Sequence, residues 1–282
     1  MKNDNKSKYT INFTRKALTY LNKHTTLSQP EAVKAFIANL ETSDSYKKNL
    51  CIAYNRYCKH NNIKWDMPRY IQEAKNVALP TKEKLLMLIA KAGTVLGTKL
   101  QLSMETGLRP VELCNLKVKD IDLEHKTVNP TTAKGGNPRT IPMTANLTTK
   151  LQERIIRKNL NPNDKLFGNE TSDQYGNKYR TLRNKLAEKL KDPSIKTIRL
   201  YDFRHYFCTK KLYDLNNPYT VMVLMGHKKL QTTQKYMHLL NYAEEEYTVA
   251  GATTANQATK LIEAGFQYQT TIEGIQLFRK RK

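Results

Sequence analysis

The stretch Leu224-Met-Gly-His-Lys-Lys-Leu-Gln-Thr-Thr-Gln-Lys-Tyr-Met-His238 is the part of the chain around which the fold is expected to be organised. His227 directly follows a glycine, and Tyr236 comes nine residues later in a run without Gly or Pro. Two arginine-bearing segments lie upstream, Tyr201-Asp-Phe-Arg-His205 and Thr106-Gly-Leu-Arg-Pro-Val-Glu112. With a lysine that lies between them, these segments supply the groups needed to hold a phosphodiester and to attack it.

The positions of these residues fit phosphoryl transfer. Arg109 follows a glycine that ends a predicted helix, and Arg204 lies near the start of another. Arginine forks bind the charged non-bridging oxygens of a phosphodiester transition state in a bidentate way. The hydroxyl of Tyr236 has an ordinary pKa of about 10, so as a nucleophile it needs a cationic site and a proton acceptor, for which His227 or a neighbour is a candidate. Lys134, at a predicted hairpin tip, could protonate a leaving 5′ oxygen.

The composition of the chain predicts a polyanionic partner. The 282 residues include 48 Lys and Arg against 25 Asp and Glu, which gives a formal net charge of +23. Such an excess binds nucleic acid by releasing its counterions. A basic protein of the membrane surface would need an amphipathic anchor or a lipidation motif, and residues 1–8 have no apolar segment for a signal peptide. No run approaches the roughly 18 apolar residues of a membrane span, so we expect a cytoplasmic protein with no membrane partner.

Hydrophobic periodicity predicts a mainly α-helical chain with a small antiparallel β-sheet. Ser28-Gln-Pro-Glu31 has the form of a capping box, and a further helix is predicted from Ser43. Basic residues on that second helix are either a solvated face or phosphate contacts; they are Lys47, Lys48, Arg56 and Lys59. The predicted organisation is a disordered N-terminus, a helical DNA-binding domain, a linker, a catalytic domain and a tail: residues 1–8, 9–66, 67–80, 81–240 and 241–282.

In the second predicted domain, Thr81 is expected to cap a helix, and a helix from about Val95 to Thr106 stops at Gly107. Alternating residues between Asp120 and Met143 predict the sheet, with Lys134 at the tip of a hairpin. Further helices are predicted at 145–159, 177–190, 203–214 and 218–225. In the tail, the pattern predicts a short helix over 256–264 and two strands around Glu273-Gly274.

The cysteines and histidines show no metal-binding pattern. The four cysteines form no CxxC pair, and we expect all of them to be reduced and mostly buried. The six histidines show neither HExxH nor zinc-finger spacing, so no structural metal is expected.

Four segments resemble the motifs of the tyrosine recombinases, the family of phage-type integrases, archaeal integrases and Xer-like proteins. Thr106–Leu116 resembles the first-arginine box, and Lys134–Pro142 resembles the β-hairpin lysine segment. Asp202–His205 resembles the second-arginine box, and Leu224–His227 with Thr232–Tyr236 resembles the final box of histidine and nucleophile. Each segment alone is weak evidence, but all four occur in the order of the family over about residues 81–240.

The resemblance implies a role for each of these residues. Arg109 and Arg204 would clamp the scissile phosphate, Lys134 would be the general acid, and His227 would support the phosphate or the proton transfer. Tyr236 would form a 3′-phosphotyrosyl bond that a 5′ hydroxyl of a partner strand resolves. Site-specific recombination of this kind requires no cofactor, neither ATP nor a metal, and no small-molecule substrate. The implied partners are double-stranded DNA and further copies of the chain in a synaptic tetramer, and Glu112 is expected to brace the first arginine.

One position departs from the family pattern. Three residues before the second arginine the family usually has His or Lys, whereas this chain has Tyr201, a poor base near neutral pH. Tyrosine occurs there in some archaeal integrases, so Tyr201 is retained as a candidate catalytic residue. A DNA-binding protein of recombinase descent that no longer cleaves is the alternative, and a general basic architectural protein would leave the ordered motifs unexplained. His205 is expected to be structural, and His238 could be either structural or catalytic.

The segments outside the four motifs resemble the family less. Residues 9–66 match its core-binding domain in size, position and basicity, and with the catalytic domain would form a C-shaped clamp on DNA. Residues 241–282 do not match the usual short tail, and we expect them to dock on a neighbouring protomer. Integration of a mobile element and resolution of chromosome dimers remain open alternatives.

Overall fold

A computed structural model describes residues 6–71, 79–133, 135–237, 239 and 247–281. The chain forms two compact units, Met1–Lys75 and Asn76–Lys282. The predicted fold class, mainly α-helical with a small antiparallel sheet, is confirmed. Of the predicted site residues, Lys134 lies outside the described residues, and so does His238.

The first unit packs three helices: α1 (Lys8–His24), α2 (Pro30–Ala38) and α3 (Asp44–His60). The hydroxyl of Ser7 accepts a hydrogen bond from the backbone N–H of Thr10 and so caps α1. Residues 7 and 8, the last two of the segment 1–8 that is predicted to be disordered, are therefore ordered. Ser43 caps α3 in the same way, and the helix predicted from Ser43 begins at the next residue, Asp44. The predicted box at Ser28 is wrong, because Gln29 is the N-cap residue and Pro30 begins the helix without a side-chain cap bond.

The core of the first unit is apolar and includes two thiols. Leu21, Ile37, Leu50 and Tyr54 are fully buried, together with Cys51 and Cys58. The stripe at Val33 and Ile37 therefore faces this core, as the helical spacing of the sequence requires. All four cysteines of the chain are free and buried, which confirms that prediction.

The second unit follows the predicted order of helices and small sheet. Thr81 caps the first helix, and Pro110 and Pro218 open two others. One helix begins at Ser172 rather than at residue 177, because Thr171 and Gln174 form a capping box. The helices are α4 (Lys82–Lys91), α5 (Thr94–Thr106), α6 (Pro110–Asn115), α7 (Ala145–Arg157), α8 (Ser172–Lys189), α9 (Asp202–Leu215), α10 (Pro218–Met225) and α11 (Leu230–Gln234).

A small antiparallel sheet lies between α6 and α7. Its strands are β1 (Ile121–Asp122), β2 (Thr127–Val128) and β3 (Ile141–Pro142), in the order β1-β2-β3. Ile121 pairs with Val128, and Val128 pairs with Ile141, so the buried residues of the three strands lie on one face. The connection from β2 to β3 is the predicted hairpin segment.

The turn after α5 brings two distant segments of the chain together. Gly107 ends α5 with φ = 64°, a left-handed conformation that favours glycine. A Cβ atom at this position would overlap the ring of Phe207, a residue of α9. A glycine is therefore required here on two grounds, and it lets α9 approach the point where the chain turns towards Arg109.

The end of the chain forms a second sheet with one helix. Its elements are β4 (Tyr247–Ala252), α12 (Ala255–Glu263), β5 (Gln267–Ile272) and β6 (Ile275–Arg281), and the strand order is β4-β6-β5. The predicted helix and the two strands around Glu273-Gly274 are confirmed. Strand β4 was not predicted, because its small and polar residues resemble those of a loop.

Among the described helices, none is both long and apolar enough to cross a membrane.

Candidate active site

Arg109 is placed by the turn after α5 and is tied to Glu112. It is the N-cap residue of α6, and its backbone N–H donates to Oε2 of Glu112 at 2.9 Å. Its Nη1 donates to Oε1 of the same carboxylate, also at 2.9 Å. The side chain of Arg109 keeps 15% of its surface exposed, whereas the carboxylate is fully buried. Glu112 therefore braces the arginine and leaves part of the guanidinium open to a ligand.

A second arginine, Arg139, holds the same carboxylate from the other side. Its Nη2 donates to Oε2 of Glu112 at 2.6 Å, and its side chain is fully buried. Burial opposes ionisation of Glu112, but the hydrogen bond and the charge of Arg139, followed by those of Arg109, lower its pKa to about 2. The sequence reasoning missed Arg139, because a lone arginine is usually a surface residue.

The glycine before His227 packs against Arg139. Gly226 has φ = 62°, and a Cβ atom on it would lie 2.9 Å from Nη1 of Arg139 and 3.0 Å from the carbonyl oxygen of Asn137. The side-chain amide of Asn137 also donates to the carbonyl oxygen of His227, at 3.4 Å. Arg139 and Asn137 thus join the segment after the hairpin tip to the segment that carries His227.

Arg204 is buried at the start of α9 and donates to three groups. Its Nη1 donates to the carbonyl oxygen of Gly107, and its Nη2 donates to that of Met225 at 2.8 Å. The same Nη2 lies 3.2 Å from Nε2 of His227. Burial, and then repulsion from Arg109 and Arg139, lowers the pKa of Arg204 to about 10, so the guanidinium remains charged at neutral pH.

His227 supports Arg204 through its ring. Because a guanidinium can only donate, Nε2 must accept from Arg204, and the hydrogen on Nδ1 is left to donate to Oγ1 of Thr233 at 2.8 Å. Burial and the charges of Arg204, Arg109 and Arg139 lower the pKa of His227 to about 4, so the ring is neutral at neutral pH. Both ring nitrogens are occupied in this arrangement.

Tyr236 follows α11 and faces the first turn of α9. The tyrosine is 8% exposed, and its hydroxyl lies 2.8 Å from Nδ1 of His205. Burial raises the pKa of Tyr236 to about 12, although the charge of Arg204 opposes the rise. The hydroxyl is therefore protonated at neutral pH and must lose its proton to become a nucleophile. His205, which the sequence leads us to expect as structural, therefore contacts the candidate nucleophile.

Tyr201 and the hairpin tip lie at the edge of the site. Tyr201 is the N-cap residue of α9 and is 40% exposed, with its ring centroid 6.1 Å from that of His205. Lys134 lies outside the described residues, but the adjacent Gly135 lies close to Nζ of Lys228, an exposed residue that follows His227.

Four of the six predicted site residues therefore lie in one cluster: Arg109, Arg204, His227 and Tyr236. Arg204 contacts His227 and lies next in sequence to the histidine that meets Tyr236. Gly136 comes close to both Nη1 of Arg109 and the carbonyl oxygen of Gly226, so Arg109 lies against the same segment. In the described ranges, no group of three or more His, Cys, Asp or Glu residues is arranged to hold a metal ion. The site is cationic, and an anion fits it.

Two comparisons of sequence place the chain among known proteins. Residues 64–242 match the model of the phage integrase family. The chain is 34% identical over 188 residues to tyrosine recombinase XerA of Saccharolobus solfataricus, a match that covers 66% of this chain and 56% of the relative. It is 30% identical to tyrosine recombinase XerD of Listeria monocytogenes over 223 residues, 74% of this chain and 72% of the relative. The chain spans about half the length of several of the curated tyrosine recombinases that it matches, XerA of Saccharolobus solfataricus among them.

The fold is also similar to that of a solved integrase. The Tn1549 transposon integrase in complex with transposon right end DNA matches with a TM-score of 0.61 at 18% identity. The match covers 92% of this chain and 94% of that one. The arginine, histidine and tyrosine segments lie in one cluster, and the family model matches more than half of the residues. The chain therefore belongs to the phage integrase family.

Proposed function

We propose that the chain is a site-specific DNA recombinase that cleaves and rejoins DNA strands through a 3′-phosphotyrosyl intermediate at Tyr236. The observation that supports this most is the position of the Tyr236 hydroxyl, which is hydrogen-bonded to His205, the neighbour of the buried Arg204. The proposed nucleophile thereby contacts the turn of α9 that carries Arg204, the cation proposed to bind phosphate. The names of the XerA and XerD relatives, both tyrosine recombinases, agree with this function.

The charges around the site favour a phosphodiester. Arg109, Arg139 and Arg204 are countered by one carboxylate, Glu112, so the cluster holds an excess of two positive charges. Arg109 offers the exposed part of its guanidinium to a non-bridging oxygen, and the buried Arg204 supplies a second cation. Fixed cations in a buried site stabilise the charge that develops on those oxygens and require no reorganisation during the reaction.

The reaction needs one proton acceptor and one proton donor. The oxygen of Tyr236 attacks the phosphorus, its proton leaves to a base, and the bond from phosphorus to the 5′ oxygen breaks. The released 5′ oxygen takes a proton from a general acid, for which we propose Lys134. Attack by a 5′ hydroxyl on the phosphotyrosine reverses these transfers and reseals the strand. The bond energy is conserved in the intermediate, so neither ATP nor a metal ion enters the proposed mechanism.

The role of Lys134 can be tested separately from that of its neighbour Lys228. A 5′-bridging phosphorothiolate substrate has a sulfur leaving group with a far lower pKa, which does not require protonation. We expect Lys134→Ala to slow cleavage of ordinary DNA by at least about a hundredfold. The phosphorothiolate substrate should restore the cleavage rate of this variant. Lys228→Ala is the matched control. If Lys228→Ala shows the defect and the rescue while Lys134→Ala does not, the general acid is Lys228.

Both units are proposed to contact double-stranded DNA. On α3, Lys48 and Lys59 are exposed, which suits phosphate contacts. Lys47 and Arg56 are engaged inside the unit, with the carbonyl oxygen of Ala38 at 2.8 Å and the hydroxyl of Thr14 at 2.7 Å. Replacing Lys48 and Lys59 should therefore make DNA binding less dependent on salt. The slope of the logarithm of the binding constant against the logarithm of the salt concentration should become shallower by roughly 0.9 for each phosphate that the protein no longer neutralises.

Assembly into a synaptic tetramer is proposed to involve the tail. In the β4-β6-β5 sheet, Phe278 and Ala252 are buried on one face, and alternation places Val249, Ile272 and Ile275 on the other. These three side chains are between 41% and 63% exposed. An apolar sheet face of this kind suits a neighbouring protomer as the occupant.

The proposal is tested by trapping the covalent intermediate. The protein is incubated without divalent metal with supercoiled DNA that carries the flanks of its own gene, and the reaction is quenched in SDS. Wild type should give protein-linked or relaxed DNA, and Tyr236→Phe should give neither. Selective binding to those flanks without an adduct in wild type would contradict the proposal.

A further inference from the structure

We infer that His205 accepts the proton of the Tyr236 hydroxyl as that oxygen attacks the DNA, and that Asp202 stabilises the resulting imidazolium. This inference rests on the proposed function, because it assigns a proton acceptor to the proposed nucleophile. Tyr201 occupies the position at which the family usually has His or Lys, and a phenol there is a poor base near neutral pH.

The contact between the two rings has the geometry of proton transfer. Nδ1 of His205 lies 2.8 Å from the hydroxyl oxygen of Tyr236, within the range of a good hydrogen bond. The ring centroids are 5.3 Å apart at an interplanar angle of 41°. His205 is fixed in the first turn of α9, where its backbone N–H donates to the carbonyl oxygen of Tyr201 at 2.9 Å. Its side chain is only 16% exposed, so most of the ring is shielded from solvent.

The acidic residue behind His205 favours the tautomer that this role requires. Nε2 of His205 lies 4.0 Å from Oδ1 of Asp202, which is buried. A carboxylate can only accept, so the hydrogen of the neutral ring is favoured on Nε2, and Nδ1 keeps its lone pair for the hydroxyl proton. Arg199 holds Asp202 in place, with its backbone N–H 2.7 Å from Oδ2 and its Nη2 2.9 Å from Oδ1.

Neither of the other candidates in the described cluster is free to take this proton. His227 uses Nε2 to accept from Arg204 and Nδ1 to donate to Thr233. Tyr201 is itself a phenol, and its ring contacts that of His205 at 6.1 Å between centroids. His205 is thus the base that the hydroxyl of Tyr236 already contacts.

The proton balance of the step is complete with these residues. The phenol proton passes to Nδ1 of His205 as the bond from oxygen to phosphorus forms, and the 5′ oxygen leaves with a proton from the general acid. The imidazolium is then 4.0 Å from the carboxylate of Asp202. In rejoining, the same proton returns from Nδ1 to the departing oxygen of Tyr236, as microscopic reversibility requires.

The charged groups around His205 keep it neutral before the reaction. The titratable and charged side chains that face it are Asp202 and Arg204 on α9, Arg199 and Tyr201 before that helix, and Tyr236 after α11. Burial lowers the pKa of His205 below 6.5, the charge of Asp202 raises it, and those of Arg199 and Arg204 lower it again. The cleavage rate should therefore rise with pH as the residual imidazolium loses its proton, and then level off near neutral pH.

The test compares His205→Asn with wild type. An asparagine amide can reach the position of Nδ1 and accept the same hydrogen bond, but it cannot take up a proton. Single-turnover cleavage is measured from pH 5 to 10 on the site mapped by covalent trapping, with ordinary and 5′-phosphorothiolate substrates. DNA affinity is measured in parallel. His125→Asn is the matched control, because His125 is exposed and its ring pairs with nearby Asp122.

We expect His205→Asn to bind DNA as wild type does and to cleave about a hundredfold or more slowly at pH 7. Its rate should keep rising up to pH 10, because hydroxide must replace the missing base. The phosphorothiolate should not rescue it, since the defect is in the nucleophile and not in the leaving group. A wild-type rate in His205→Asn, or a slow rate with the wild-type pH profile, would show that His205 is not the proton acceptor. Absence of any adduct with wild type would instead refute the proposed function, and the inference with it.

Discussion

Replacement of Arg139 should damage the site without removing any group that is proposed to contact DNA. Arg139 is fully buried and donates to both oxygens of Glu112, at 2.6 and 3.4 Å. In Arg139→Met this carboxylate remains buried with only Arg109 as a charged partner. A pKa that falls from 4.5 to about 2 corresponds to roughly 3 kcal/mol in favour of the carboxylate, and the larger part of the favourable interaction comes from Arg139.

The expected loss of stability is therefore about 3 kcal/mol, at the lower end of what breaking a buried pair costs. For a unit of this size, that loss lowers the melting temperature by roughly 6–12 °C. Because the folded-state pKa of Glu112 is depressed, its contribution is present in full above pH 4.5 and is lost as the pH falls towards 2. The difference between wild type and Arg139→Met should therefore shrink over that range.

Urea denaturation followed by circular dichroism measures this effect, since most helices lie in the second unit. Trp65, the single tryptophan, is partly buried and packs against the core of the first unit, so its fluorescence follows that unit separately. Arg157→Met, at an exposed position of α7, is the matched control. The combined variant Glu112→Gln/Arg139→Met should lose less than the sum of the single losses. Unchanged stability in Arg139→Met, or strictly additive losses, would show that Arg139 does not stabilise the buried carboxylate of Glu112.

Three further predictions concern the turn before His227, its ring and the tail. Gly226→Ala should lower both stability and cleavage, because the added Cβ would press on Arg139. Gly168 is the control: it also has a positive φ but has open space around it, so Gly168→Ala should cost only the backbone strain of about 1–2 kcal/mol. Equal losses of stability for the two variants in thermal melts would contradict this prediction. Thr233→Val removes the hydroxyl that accepts a hydrogen bond from Nδ1 of His227. The variant should slow single-turnover cleavage by about tenfold with little change in DNA affinity. A wild-type rate would show that the ring of His227 does not need this hydrogen bond. Deletion of residues 241–282 should leave cleavage at a single site largely intact and impair recombination between two sites, a prediction that unchanged recombination by the truncated chain would overturn.

Local features of the sequence predicted the framework of the site. Gly107 and Pro110 mark the end of one helix and the start of the next, and Asn217-Pro218 marks the start of α10. These residues act through their own backbone, so their effect can be inferred from a few neighbouring letters. The same holds for the hairpin around Glu273-Gly274.

The contacts that complete the site depend on residues far apart in the chain. Arg139 meets Glu112 across 27 positions, and His205 meets Tyr236 across 31. Neither pairing leaves a periodic or local trace, so the sequence gives no signal for Arg139 and favours a structural role for His205. The adjacency of His205 to Arg204 is the available clue, because a residue next to the arginine of a candidate site shares its surroundings.

The most direct test of the account is to identify the atom that becomes linked to DNA. The adduct trapped with wild type is digested with protease and nuclease, and the modified peptide is sequenced by tandem mass spectrometry. We expect a nucleotide joined through its 3′ phosphate to Tyr236, together with a free 5′ hydroxyl on the other strand end. A link to any other residue, or a 5′ phosphate on the tyrosine, would contradict it.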